Sequence, residues 1–313
     1  MEDHRFHEGK LPSAYRYNFE QRLFNTEGYR LLQSSNDWKS FYVLNESELL
    51  VQAEIHFHVK NGIAKSSVQS PFGGIEGSDN VNPKTLFHFI EFVIGGLLSA
   101  GCRKVIIIGP PLLYHPERQS MLQTFLLNLG FSVLTAEISS IIKISDKPFS
   151  EILHNRKRRK LNQSLTANLD FRLLQHNSLE QVYEFIEAHR KLKEYELSIS
   201  LHHLAQSVAQ LGDAYILFGV YENRNLVAAS VAVRVSKNIL YHFISDHVKK
   251  IDEARPALIL MNGIYEYCQR EKINMLDLGT SATDGLPNFK LIKFKTELGG
   301  QLTPKLTFTK QLT

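Results

Sequence analysis

Tyr241 and His242 are side chains whose types suit proton transfer, and they stand with Phe243 in an apolar run over 239–245 that reads as a strand. Alternation along a strand puts Tyr241 and Phe243 on one face and His242 on the other. Either the phenol or the imidazole could act as a general acid or base, although a half-buried, hydrogen-bonded role fits the same pattern. Asp277 interrupts an apolar strand pattern, Leu276-Asp277-Leu278, where a carboxylate is costly unless a partner offsets it. Structural pairing is the expectation there. The segment from Ser245 through Lys249 and Lys250 to Arg255 joins a strand to a helix opened by Pro256. Free N–H groups and the helix dipole favour anions at such a junction. Lys249, Lys250 and Arg255 could hold phosphates, with Asp246, Asp252 and Glu253 as the charges that would otherwise balance them.

Further along the inventory, Arg156-Lys157-Arg158-Arg159-Lys160 is a run of five cations. Arg156, Arg158 and Arg159 could take a nucleic-acid backbone, yet on a helix such a run wraps all round instead of forming one stripe. His56 and His58 alternate onto one strand face, a spacing that can ligate zinc, but no third ligand is suggested nearby and no metal is expected. The glycine-rich Phe72-Gly73-Gly74-Ile75-Glu76-Gly77 lacks the Lys-Ser/Thr of a phosphate-binding loop and reads as a turn that could border an acceptor channel.

The elements that must position these residues occur twice. Asn82 and Pro83 open an apolar helix to about Ala100, followed by a buried-strand pattern over 105–109. A second helical pattern, Leu122-x-x-Phe125-x-x-x-Leu129-Gly130, leads into a β-type run over 131–144. In the later half Pro256 opens a helix to about Lys272, and a strand over 275–279 follows. Leu291-x-x-Phe294-x-x-x-Leu298-Gly299 then leads into a strand over 301–309. The span from Gly109 to Gly130 matches that from Gly279 to Gly299 to within one residue. Helices over 178–195 and 201–211 and a hairpin over 215–235 complete the second half. The basic stretch 150–166 joins the halves, so the expected domains are 1–150 and 151–313, the second opened by the basic linker helix.

This order of elements resembles the GNAT acyltransferase fold, and two such repeats in one chain resemble the Fem-type (FemABX) peptidyltransferases and their bacterial relatives. The likeness rests on the basic run at 156–160, on Arg255-Pro256 leading to Met275-Leu276-Asp277-Leu278-Gly279, and on Gly285-Leu286 followed by Phe294-Lys295 and Gly299-Gly300. The implied fold class is α/β (α+β), two tandem GNAT-like repeats, each a mostly antiparallel mixed sheet flanked by helices. The resemblance implies that Lys295 lies beside the reacting carbonyl, where a cation stabilises developing negative charge. It also implies that Phe294 shapes the same wall and that Ser281 stands on the face approached by acceptors. The donor would be acyl-CoA or aminoacyl-tRNA. The loop 247–256 has no glycine, unlike the usual pyrophosphate cradle of acyl-CoA enzymes.

Composition narrows the alternatives. Lys+Arg 36 against Asp+Glu 32 leaves a net charge of only +4, too little for a dedicated nucleic-acid binder. Two cysteines in unrelated contexts make neither a disulfide framework nor a metal quartet. The first ten residues have no apolar core for a secretory signal, and the apolar stretch 86–100 is too short to span a bilayer. Together with these limits, the resemblance implies a cytoplasmic transferase forming an amide on a primary amine of an amino-sugar, peptide or cell-wall-related acceptor, with tRNA as a candidate partner and no bound cofactor. Its rival is a tandem GNAT module that has lost catalysis and binds a ligand or RNA.

Overall fold

The computed structural model describes residues 4–34, 37–249, 254–283 and 285–312. The chain forms two compact units, residues 1–137 with 303–313 and residues 138–302. This division differs from a single cut near residue 150, because the chain passes between units inside two strands, Ser132–Lys143 and Gln301–Gln311.

The first unit is built on a sheet whose strands follow the order His4–Glu8, Trp38–Asn45, Leu50–Lys60, Ile63–Lys65, Lys104–Ile108 and the C-terminal strand. Leu50–Lys60 and Ile63–Lys65 are antiparallel, and Ile63–Lys65 runs parallel to Lys104–Ile108. The C-terminal strand pairs antiparallel with Lys104–Ile108 through Thr307 to Gln311. Helix Pro83–Ser99 begins as its residues dictate, with Pro83 in the first turn and the Asn82 side chain accepting from Lys84 N at 2.9 Å. Its buried residues Leu86, Phe89, Ile90, Val93 and Leu97 recur at helical spacing. They form one core with Phe41, Val43, Ile55, Phe57, Val105 and Ile107 from the sheet.

The second unit repeats that topology. Asn225–Ser236 and Ile239–His247 are antiparallel, Ile239–His247 runs parallel to Met275–Thr280, and Met275–Thr280 pairs antiparallel with residues of Ser132–Lys143. Helix Pro256–Arg270 takes the place of Pro83–Ser99, and its Leu260, Ile264 and Cys268 enter a core with Phe218, Leu240 and Leu276. Gly130 and Gly299 follow equivalent helices, Pro116–Asn128 and Phe289–Glu297, and both have positive φ, the left-handed exit that ends a helix. The duplication read from sequence is therefore a duplication of sheet topology. Helices Leu179–Lys191 and Leu201–Leu211 precede the hairpin of the second unit as expected. Among the described residues no helix is long and apolar enough to cross a membrane.

Candidate active site

Two parallel strands of the second unit part company to make the site. Ile239, Leu240 and Tyr241 pair with Met275, Leu276 and Asp277, and the parallel ladder ends there. On the other side of Ile239–His247 the register slips, with Ala232 opposite His242 but Val231 opposite Ile244. Phe243 is the extra residue. Such a bulge bends a strand and re-aims its side chains.

Lys295 reaches this region from helix Phe289–Glu297. Its side chain is 6% exposed, and Nζ donates to the carbonyls of Gly279 at 2.9 Å and Thr280 at 2.7 Å. Burial drives its pKa down to about 8 against a smaller upward pull from Asp277. Asp277 is itself buried, and its Oδ1 accepts from Gly279 N at 2.7 Å and from Ser139 Oγ at 3.2 Å. Structural pairing of Asp277, as expected, thus holds the turn that carries the two carbonyls. Gly279 has φ +74, and a Cβ there would lie 3.3 Å from the Tyr241 ring, so both backbone and space call for glycine.

Tyr241 lies over Gly279, and its ring centre is 6.0 Å from that of Phe243. Ser281 is fully buried; its backbone N–H donates to Ile138 O at 2.8 Å and its carbonyl accepts from Asn288 N at 2.9 Å. The Ser281 hydroxyl, the Ser140 hydroxyl and His242 Nε2 are enclosed yet have no hydrogen-bond partner. Burial, helped by Lys295 and Arg190, lowers the His242 pKa to about 4, so its imidazole is neutral at physiological pH. Native proteins rarely leave enclosed polar atoms unsatisfied. Of the three, His242 lies near enough to feel the Lys295 charge, and Ser281 directly follows the Thr280 carbonyl that Lys295 holds.

Other expected residues are placed differently. The Phe294 ring packs against the core of the second unit, with Lys157 Nζ 4.5 Å from its centre. Lys157 also pairs with Glu297 at 3.5 Å. Arg158, expected among nucleic-acid contacts, turns inward: Nε donates to Ser150 O at 2.7 Å and Nη2 to Glu151 O at 3.1 Å, satisfying carbonyls at the end of the short helix Phe149–Ile152. Arg156 and Arg159 are exposed on helix Asn155–Leu165. Ser245 pairs with Ser230 across the sheet, and Lys249 is exposed. Arg255 Nη1 reaches Lys249 O at 3.5 Å, and its N–H donates to Ser164 Oγ at 2.9 Å. Lys250 lies outside the described residues.

In the first unit, His58 stacks edge-on against Trp38, and His56 belongs to a buried polar network with Glu54. The glycine-rich loop is packed, not open: Phe72 to Glu76 are buried, and a Cβ on Gly73 would lie 2.0 Å from Ser66 O. Ser139 and Ser140 were not singled out from sequence; the signal was two serines inside the apolar strand run Ile138-Ser139-Ser140-Ile141.

No family model matches the chain, and no curated protein matches it. Among solved structures, FemX superposes with a TM-score of 0.71 at 12% identity, covering 94% of this chain and 93% of its own. The chain has the tandem GNAT fold of FemX. The C-terminal domain of a putative lysylphosphatidylglycerol synthetase from Agrobacterium fabrum matches with a TM-score of 0.57 at 10% identity, over 92% of this chain and 88% of that one. The L-PGS structure from Bacillus licheniformis matches at 0.55 and 11% identity, over 82% and 80%. The FemX-like fold places Lys295 on the last helix before the final strand, beside the parted strands of the second repeat.

Proposed function

We propose that the chain is a cytoplasmic acyl- or aminoacyltransferase that forms an amide on a primary amine of an amino-sugar, peptide or cell-wall-related acceptor. The observation that carries this reading is Lys295, a buried cation tied to the carbonyls of Gly279 and Thr280 where two strands of a FemX-like fold separate. A neutral amine attacks the donor carbonyl, and the carbonyl oxygen gains negative charge. Two of the three Lys295 protons are committed to backbone carbonyls, and the third is left for that oxygen. Fixed this way, the ammonium needs no rearrangement as the charge develops. His242 Nε2, neutral and without a partner, can accept a hydrogen bond from the attacking amine, and Tyr241 lies over Gly279, whose carbonyl Lys295 holds.

The donor is acyl-CoA or aminoacyl-tRNA, bound as a substrate. Ser245, Lys249, Lys250 and Arg255 are the proposed donor contacts, and the glycine-free loop favours a donor other than acyl-CoA held in the usual cradle. Arg156 and Arg159, exposed on one helix, are the residues proposed to meet a tRNA backbone. A panel of acyl-CoAs and charged tRNAs, each offered with amino-sugar and peptide amines, tests the proposal by mass spectrometry of the acceptor. One donor class should yield an amide product. Absence of amide from every pairing would favour the rival in which the fold only binds its ligand.

A further inference from the structure

The first unit carries a second chemical constellation, unrelated to Lys295. Strands Trp38–Asn45 and Leu50–Lys60 are antiparallel, with Ser40 opposite His56 and Tyr42 opposite Glu54. Alternation places these four on the sheet face away from Phe41, Val43, Ile55 and Phe57, which form the core. Ser40 Oγ is 2.8 Å from His56 Nδ1, and His56 Nε2 is 2.9 Å from Glu54 Oε2. Glu54 is completely buried and accepts from the Tyr17 hydroxyl and from Gln21 Nε2, both at 2.7 Å. Those two donors orient the carboxylate, so the His56 Nε2–H donates to Glu54 and the Nδ1 lone pair accepts the Ser40 proton.

The protonation states agree with this direction. Burial would raise the Glu54 carboxyl, but His56, Gln21 and Tyr17 outweigh it and hold it below the ordinary range. Burial lowers His56 despite the opposing pull of Glu54, leaving a neutral base beside an anion. Ser40 also opens onto a cavity of about 600 Å³, walled by Tyr15, Tyr17, Trp38 and Tyr42. That volume suits a small molecule, and because Lys10, Glu27, Arg30 and Asp37 share the wall with those rings, it suits one that has a flat ring and polar groups.

We infer that Ser40, His56 and Glu54 form a serine-nucleophile relay that cleaves small, aromatic-flanked carboxylic esters in the cavity of the first unit. Ser40 Oγ bonds to the ester carbonyl carbon while its proton passes to His56 Nδ1. Collapse of the adduct breaks the bond to the alcohol oxygen, which takes that proton. Water then attacks the Ser40 ester with His56 as base, releasing the carboxylic acid and restoring the hydroxyl. The sum is ester plus water to acid plus alcohol. Neither this cavity nor this relay includes a residue of the transferase site.

The test is reaction of the full chain with a fluorophosphonate, which labels a serine activated by a neighbouring base, followed by peptide mapping. One adduct per chain is expected, on Ser40, together with p-nitrophenyl acetate turnover. Ser40→Ala should abolish both, and Glu54→Gln should slow labelling by roughly tenfold or more. Ser207→Ala, in helix Leu201–Leu211 of the second unit, should label at the unaltered rate. The labelling of the unsubstituted chain needs no variant to fold. An unmodified Ser40 in protein with intact circular dichroism, or an adduct mapped to another residue, would overturn the inference.

Discussion

Lys295 pays for its position in charge. Removing an ammonium from water without a carboxylate in direct contact lowers its pKa from 10.5 to about 8, on the order of 3 kcal/mol against the protonated form. The unfolded chain therefore holds more protons between about pH 8 and 10.5, and this residue's contribution to stability improves as pH rises through that window. Below pH 8 its penalty is fully present. The catalytic sign is opposite, because oxyanion stabilisation needs the protonated form. We predict that turnover falls as pH rises through about 8, and that Lys295→Arg moves this falling limb upward by more than one pH unit. A pH–rate profile with one fixed acceptor amine checks it. A falling limb that does not move would assign the titration to another group. At this scale the sequence pointed to Lys295 and Tyr241, which the fold brings to the same Gly279 turn, and gave no sign of where Phe294 and Arg158 pack. Their side chains are claimed by a core and by backbone carbonyls that only folding brings near.

Elements were the most legible level wherever a local rule sets them. Pro83 and Pro256 start helices, Gly130 and Gly299 end them, and the hairpin over 215–235 lies where alternation of apolar residues places it. The bulge at Phe243 was not legible, because it is a mismatch between two strands and neither strand alone encodes it. Nor was the packing of the glycine-rich loop, which reads as an open turn yet lies against its own sheet. Gly73→Ala would force a Cβ to 2.0 Å from the Ser66 carbonyl. We expect it to cost at least about 2 kcal/mol, visible as a lowered melting temperature. A variant that melts like the parent would show that the loop can move aside.

For the whole molecule, repetition was visible in sequence, while the exact division of the chain was not. The strand after Pro116–Asn128 supplies Ile141 and Ile142 to the second unit, where residues 141–143 pair with Met275 to Asp277. The strand after Phe289–Glu297 supplies Phe308 to the core of the first. Both strands look like ordinary ends of their own repeat, since hydrophobic alternation says that a strand is buried and not which sheet receives it. We predict that a fragment of residues 138–302 folds by itself, whereas residues 151–302, lacking its edge strand, do not melt cooperatively. Thermal melts by circular dichroism separate the two. Equal cooperativity would place the boundary near residue 150 after all.

The most direct measurement is single-turnover amide formation by the parent and by Lys295→Met, with the donor and acceptor that the substrate panel identifies. Methionine keeps most of the side-chain volume and removes the ammonium. A hundredfold or greater loss of rate, on the order of what one oxyanion donor supplies, with a melting temperature at pH 7 no lower than the parent's, is the predicted result. Undiminished amide formation by a folded Lys295→Met chain would contradict the assignment.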